Sequence, residues 1–259
     1  MFNTKMLKIL KFIFTLLCSS FGGMLVAMGQ TPTDTTNSAD VQGIRFVDKA
    51  AEKLALAYKN RSVPFWGGLS VSIDLAGAAM ANATAWGQYE GMLRLNLRNT
   101  YFPLIEAGQG RADHTGETSG LHFVTRSPYL RVGMDYNLKK DRSSKNRVFV
   151  GARYGFSSFR YDLNGPDIID VHWKNTVPFH FEALNGNAHW GELTFGLESQ
   201  IWKFVHLGWS VRYRRRIYEK RSPTGRTWYI PGYGRNSSSS TLGGTFNLIF
   251  DLTHFKHKP

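Results

Sequence analysis

The sequence predicts an all-β fold: an eight-stranded antiparallel up-and-down transmembrane β-barrel with a short N-terminal periplasmic helix. Three observations predict it. Eight segments of about ten residues alternate apolar and polar side chains, the length and period of a tilted membrane strand. The connections between them alternate between short turns and long stretches. The polar rows mix glycine with both signs of charge, as a narrow lumen requires when long side chains need small neighbours.

The elements follow in chain order. Residues 1–29 read as a secretory signal: Lys5, Lys8 and Lys11 flank and enter an apolar run, and Ala27-Met28-Gly29 offers small residues for cleavage. The only cysteine, Cys18, lies inside this leader, so the mature chain is expected to lack disulfides, Cys–metal sites and a Cys nucleophile. Leu17 before it argues against lipidation. Cleavage removes three lysines and no acid, which lowers the formal charge from +13 to +10. That excess suits an anionic lipid surface, and export argues against nucleic acid. No apolar run of the mature chain reaches the ~18 residues of a membrane helix.

Residues 30–65 form a periplasmic linker and helix. Residues 30–39 are Thr, Asp, Asn and Ser with one Pro, a flexible composition. Over residues 40–60, Val47, Ala50, Leu54, Ala57 and Tyr58 recur at helical spacing, and Ser62-Val63-Pro64 ends the helix. Its apolar face needs a partner: the barrel rim, the inner leaflet surface or another protein.

The barrel is predicted over residues 66–253, with a tail over 254–259. The first strand alternates Leu69, Val71, Ile73 and Leu75 with Ser70, Ser72, Asp74 and Ala76. The second alternates Tyr89, Gly91, Leu93, Leu95 and Leu97 with Glu90, Met92, Arg94 and Asn96. The third covers residues 101–107, where Pro103 leaves the register open. In the fourth, Leu130, Val132, Met134, Tyr136 and Leu138 oppose Arg131, Gly133, Asp135 and Asn137. The fifth runs over 148–156, the sixth over 192–201, the seventh over 205–214 and the eighth over 242–252. Turns at 98–100, 139–146 and 202–203 are short, whereas 78–87, 108–125, 163–188 and 219–240 are long. That asymmetry puts both barrel ends on the periplasmic side. A soluble sandwich gives no reason for it.

The polar rows predict a lumen network of paired charges: Asp74, Glu90, Arg94, Arg131, Asp135, Arg153, Glu192, Glu198, Arg212 and Asp251. Trp66, Trp86, Tyr89, Tyr101, Tyr129, Tyr136, Trp190, Trp202 and Trp209 stand near strand ends and read as aromatic girdles.

Four segments carry a resemblance. Residues 154–159 (YGFSSF), 200–203 (QIWK), 208–213 (GWSVRY) and 229–234 (YIPGYG) are similar to signature segments of a domain-of-unknown-function family of Bacteroidota outer-membrane barrels. The resemblance spans residues 66–252 and implies a fold and an outer-membrane location. It implies no catalytic residues. It also suggests company with a lipoprotein or the outer-membrane protein assembly machinery.

The residues offer three functions. The leading expectation is a non-enzymatic structural or interaction subunit of an outer-membrane complex, without cofactor or metal. Its contact residues are the basic, aromatic set Arg214, Arg215, Arg216, Lys220, Arg221, Arg226, Trp228, Tyr229 and Tyr233, facing lipopolysaccharide phosphates or an acidic protein partner. The same cluster also reads as a solvated face with lumen ion pairs, and the aromatic part as a lid over the barrel mouth. The second function is a lipid-modifying barrel enzyme using rim residues among His114, His122, His172, His180, His189, Asp113, Asp167, Asp170, Ser157 and Ser158, though no motif joins them. The third is a narrow channel, which a filled eight-stranded lumen disfavours.

Overall fold

The computed structural model describes residues 38–169, 176–220, 222 and 224–252. The expected leader, most of the linker and the tail lie outside them. The chain divides into two compact units, Met1–Ala55 and Leu56–Pro259.

Helix α1 covers Ser38–Arg61, within two residues of its expected bounds, with Lys59 and Arg61 in its last turn where the helix dipole favours cations. Leu54 and Tyr58 are exposed. No described helix is long and apolar enough to cross a membrane, which says nothing of strands.

Eight long strands form the second unit: β1 (Trp66–Asp74), β2 (Trp86–Leu97), β3 (Tyr101–Thr115), β4 (His122–Asn137), β5 (Arg147–Asn164), β8 (His180–Gln200), β9 (Val205–Glu219) and β12 (Ser240–Asp251). Two small hairpins lie in the connections: β6 (Ile168–Ile169) with β7 (Thr176–Val177), and β10 (Tyr229–Ile230) with β11 (Gly234–Arg235). Each long strand pairs antiparallel with its neighbours, and β1 pairs with β12 to close the barrel. Closure leaves no free edge among these strands.

The register aligns like with like. Val71, Leu93, Ile105, Val132 and Tyr154 stand opposite one another around half the ring, all facing out. The next position on β4, Arg131, faces in and is wholly buried. The apolar rows are therefore exposed and the charged rows buried, the reverse of a water-soluble sheet.

The sequence-predicted strands are all present, but two kinds of boundary differ. Leu75 and Ala76 begin a helix, α2 (Leu75–Ala83), where a strand end and a loop were expected. Asp74 ends β1 and caps the helix by accepting the Ala76 N–H at 3.1 Å. The alanine-rich stretch that follows favours helix. The helix backbone at Ala81 packs directly on Gly87, where a Cβ would collide. The second difference is strand length. Most of 108–125, and residues 163–164 and 180–188 of the expected loop 163–188, are strand rather than loop, because β3, β4, β5 and β8 run on past the apolar rows. Their outward positions turn polar there, at Gln109, Arg111, Arg126, Arg160 and Asn187, so the alternation disappears while the hydrogen-bond ladder continues.

Short turns close the opposite end. Arg98 and Asn99 adopt positive φ between β2 and β3. The Asn99 side chain then accepts from Arg147 Nε at 2.9 Å and donates to the Ser144 carbonyl at 3.0 Å, tying this turn to the next. Asn60 donates to the Lys140 carbonyl and accepts from the Arg142 N–H, both at 2.9 Å. Beside them Lys59 Nζ stands 2.9 Å from Asp141.

The Lys59 hydrogen bond, with help from Ser143, holds the Asp141 carboxyl down at about 2. A depressed carboxyl stabilises the folded contact above its unfolded value of 3.8, and that support is lost as pH falls through about 2. Amide hydrogen exchange at residues 59–61 and 140–144 should accelerate over this window in excess of the intrinsic rate. Asp141→Asn should abolish the extra pH dependence.

Candidate functional site

The lumen holds the chemistry. Six acids and six arginines are buried in unit two: Asp74, Glu90, Glu106, Asp135, Glu192 and Glu198, with Arg94, Arg131, Arg147, Arg153, Arg212 and Arg214. Every buried basic side chain among the described residues is arginine apart from His206. Guanidinium stays charged and forks onto carboxylates, which suits a dry site.

Glu106 is the centre. Arg212 grips it with both terminal nitrogens, at 2.8 and 3.1 Å. Arg153 Nε donates at 2.8 Å and Arg131 Nη1 at 2.9 Å. Arg131 also reaches Glu90 and, through Nε, Glu192 at 2.9 Å. Arg153 continues to Asp135 at 3.1 Å. Tyr129 donates to Glu90 at 2.6 Å, and the Trp190 indole to Glu192 at 2.6 Å. A second cluster lies nearer the turns. Glu198 there meets Arg94 at 2.8 Å, Arg147 at 2.7 Å and His206 at 3.2 Å. Phe102 offers its ring to Arg94 and Arg147, with centroid distances of 5.2 and 4.8 Å.

Glycines make room for these groups. A Cβ on Gly155 would strike the Trp190 indole, one on Gly151 the Asp135 carboxylate, and one on Gly243 would press on Arg214. Small residues beside long ones are thus a packing requirement of the narrow lumen.

The β9–β12 connection then plugs the mouth. Tyr229, Ile230, Pro231, Gly232 and Tyr233 are fully buried. Arg131 Nη2 donates to the Gly232 carbonyl at 2.6 Å and Arg214 Nη1 to that of Tyr233 at 3.0 Å. Tyr229 donates to the Gly87 carbonyl at 3.1 Å. Gly232 has φ +81°, a conformation L side chains rarely adopt, and lies between the rings of Tyr129 and Trp190. Trp190 meets Tyr233 edge to face at 6.0 Å.

A family profile matches residues 9–256. The chain belongs to that family, described as a domain of unknown function (DUF6048). No curated protein and no solved structure matches it.

In this DUF6048 chain the expected lumen set comes together at Glu90, Arg94, Arg131, Asp135, Arg153, Glu192, Glu198 and Arg212. Asp74 is buried but caps α2 and accepts the Phe246 N–H at 3.2 Å. Asp251 is half-buried beside Arg94, Arg147, Glu198 and His206. Sequence reasoning missed Glu106 and Arg147.

The expected contact set is divided. Tyr229, Tyr233 and Arg214 are inside, so in this arrangement they offer nothing to an outside partner. The lid alternative describes the aromatic segment. Arg216 pairs with Glu219 at 3.1 Å, and Trp228 is half-buried with His114 stacked on it at 4.2 Å. Arg215, Lys220 and Arg226 are exposed. Arg221 lies outside the described residues. Three of the expected girdle aromatics, Trp86, Tyr129 and Trp190, also face inward, because they share the parity of Glu90, Arg131 and Glu192.

Among the described residues, the rim residues considered for catalysis are not joined in one hydrogen-bonded set. His172 and Asp170 lie outside the described residues. Ser157 is buried and donates to the Pro128 carbonyl at 3.0 Å. Thr115 sits 2.8 Å from His122, but Asp113 stands 3.7 Å from that ring, too far for the bond that orients a catalytic imidazole. Among the described residues no three His, Cys, Asp or Glu are placed to hold a metal ion.

Glu106→Gln should cost about 3–5 kcal/mol, since it leaves three buried guanidiniums short of a charge. Urea unfolding measures it, and the exposed Glu117→Gln should stay within about 0.5 kcal/mol. Gly232→Ala should expel the plug without opening the ring. Tryptophan emission would shift to the red and residues 226–235 would become protease-sensitive.

Proposed function

We propose that this protein is an integral outer-membrane barrel acting as a non-enzymatic structural or interaction subunit of an outer-membrane complex. The observation that carries the reading is the exposed apolar band. It covers about nine residues per strand on β4 and β5, from Leu130 to Leu138 and from Val148 to Phe156. At ~3.3 Å per residue and a tilt of about 40°, nine residues span ~23 Å, close to the hydrophobic height of outer-membrane barrels. In water such a band would be far larger than the apolar patches soluble monomers expose. Exposed Trp66, Tyr101, Tyr136 and Trp202 lie toward its turn end, where interfacial aromatics anchor. The charged, small-residue leader supports export, and the Bacteroidota setting belongs to the same reading.

The filled lumen supports a scaffold over a conduit. Near the second charge cluster the free space is about 10 Å³, and the plug occupies the mouth. What remains for contact is the outside: Arg215, Lys220 and Arg226 suit lipid phosphate or an acidic surface, within lipoprotein or outer-membrane assembly machinery.

Met134→Arg, at the middle of the band, should destabilise the lipid-inserted protein by about 2–4 kcal/mol. A soluble barrel would lose far less, and equilibrium folding into bilayers decides. The subunit reading is tested by mild-detergent isolation from native outer membranes with quantitative mass spectrometry. A stoichiometric protein partner is expected, and a barrel recovered alone sinks it.

A further inference from the structure

Three arginines stand side by side on the outer wall, past the apolar band and away from the short turns. Arg111 on β3 lies directly opposite Arg126 on β4. The β4–β5 register, fixed at Thr125–Tyr161 and Leu130–Phe156, sets Arg160 on β5 beside Arg126. Thr125 Oγ1 donates to the Arg160 carbonyl at 2.6 Å, and the Arg160 N–H donates to Ser127 Oγ at 3.3 Å. Side chains from both chain neighbours of Arg126 thus hold Arg160 level with it. All three arginines are exposed and share the outward parity of Ala107, Leu130 and Phe156. We propose that this row binds the phosphomonoester headgroup of an anionic lipid in the outer leaflet.

Like charges directly opposite on neighbouring strands destabilise a sheet. Here the repulsion is not relieved from within: no acid among the described residues pairs with Arg111, Arg126 or Arg160. Arg126 Nε donates to Gln109 Oε1 at 3.0 Å, which steadies the side chain and leaves its terminal nitrogens for a ligand. The row continues into Gly87 on β2 and Asn185 on β8, and neither is acidic. At an interstrand spacing of ~4.8 Å, three guanidiniums lie within ~10 Å of one another. That is more positive charge than a phosphodiester neutralises. A phosphomonoester carries about −1.5 to −2 charges at neutral pH and three acceptor oxygens, which guanidinium forks match.

The neighbouring rows select a lipid over an acidic protein. Toward the band, the next outward row holds Gln109 and Pro128, both uncharged, and then come Ala107, Leu130 and Phe156. Away from the band, the next row is Asp113, Val124 and Asp162. Asp113 stands 3.7 Å from His122, and Asp162 accepts the Ala183 N–H at 2.8 Å, so neither acid is turned to the arginines. An acidic surface arriving from water meets these carboxylates first. A phosphate at the membrane surface meets only arginine. Arg126 comes four residues past Leu130, which is ~10 Å beyond the band at the same rise and tilt. The headgroup zone of one leaflet is about 5–8 Å deep, and an arginine reaches back along the wall to bring its charge into it. The choice of a lipid as the phosphate source rests on the outer-membrane reading; the opposed charges do not.

The test titrates the purified full chain in detergent micelles with short-chain phosphatidic acid, phosphatidylglycerol and glycerol 3-phosphate, with bound molecules counted by native mass spectrometry. Phosphatidic acid should bind saturably, at least about fivefold tighter than phosphatidylglycerol. The triple variant R111Q/R126Q/R160Q should lose about a hundredfold of that affinity, and Arg126→Gln alone about fivefold. A control of equal charge at exposed positions in the short turns, R98Q/K140Q/K145Q, should stay within about threefold. Without lipid, the urea midpoint of the triple variant should rise, because its opposed like charges are gone. A triple variant that binds phosphatidic acid as the parent does, or equal affinity for phosphatidylglycerol, overturns the site. Glycerol 3-phosphate binding as tightly as phosphatidic acid overturns the lipid source. Micelle binding needs no bilayer insertion, which the Met134→Arg measurement reads separately, so the two readings fail independently.

Discussion

Glu106 is the residue around which the barrel is built. One carboxylate receives four hydrogen bonds from three arginines, which arrive from β4, β5 and β9 on different arcs of the ring. Each guanidinium then reaches a second acid, so the charges around Glu106 form one connected set, with the Glu198 cluster as a second. Removing such groups from water is expensive, and their mutual attraction compensates only when every partner is in place. That condition constrains the strands more tightly than apolar contact would. A one-residue slip of any strand would turn its charges onto the exposed face and apolar side chains into the lumen.

The plug extends this logic. Arg131 serves Glu90, Glu106, Glu192 and the Gly232 carbonyl at once. The connection between β9 and β12 is therefore held by the same charges that hold the ring. Its Pro231-Gly232 pair supplies a stiff segment followed by positive φ, and Gly110 leaves space against Pro231. A connection that would otherwise be a solvated loop becomes part of the interior.

The strands were legible because parity survives in most of them: alternate residues of β4 or β5 announce their two faces. Legibility failed where parity was masked. Residues 101–105 are Tyr, Phe, Pro, Leu and Ile, apolar on both faces, because Phe102 and Leu104 fill the lumen beside the second charge cluster. That hid the register of β3 and, with it, the inward aim of Glu106. Tyr129 and Trp190 carried the right parity, but aromatics near strand ends also fit a girdle, and parity was the better guide. Helix α2 was signalled by Asp74 before an alanine run, yet two more alternating residues were enough to extend the strand on paper.

The plug is gripped by its carbonyl oxygens, and this bears on the order of folding. Arg131 and Arg214 come from strands far apart in sequence, and each depends on acids contributed by others. The two donors reach their final spacing only when the intervening strands have zipped. The loop then has somewhere to dock, so its seating comes last, after the slow long-range pairing that limits β-rich folds. Ring contact between Trp190 and Tyr233 is thus a marker of a finished barrel. A half-assembled chain would keep these twenty or so residues outside, where a protease or chaperone meets them first.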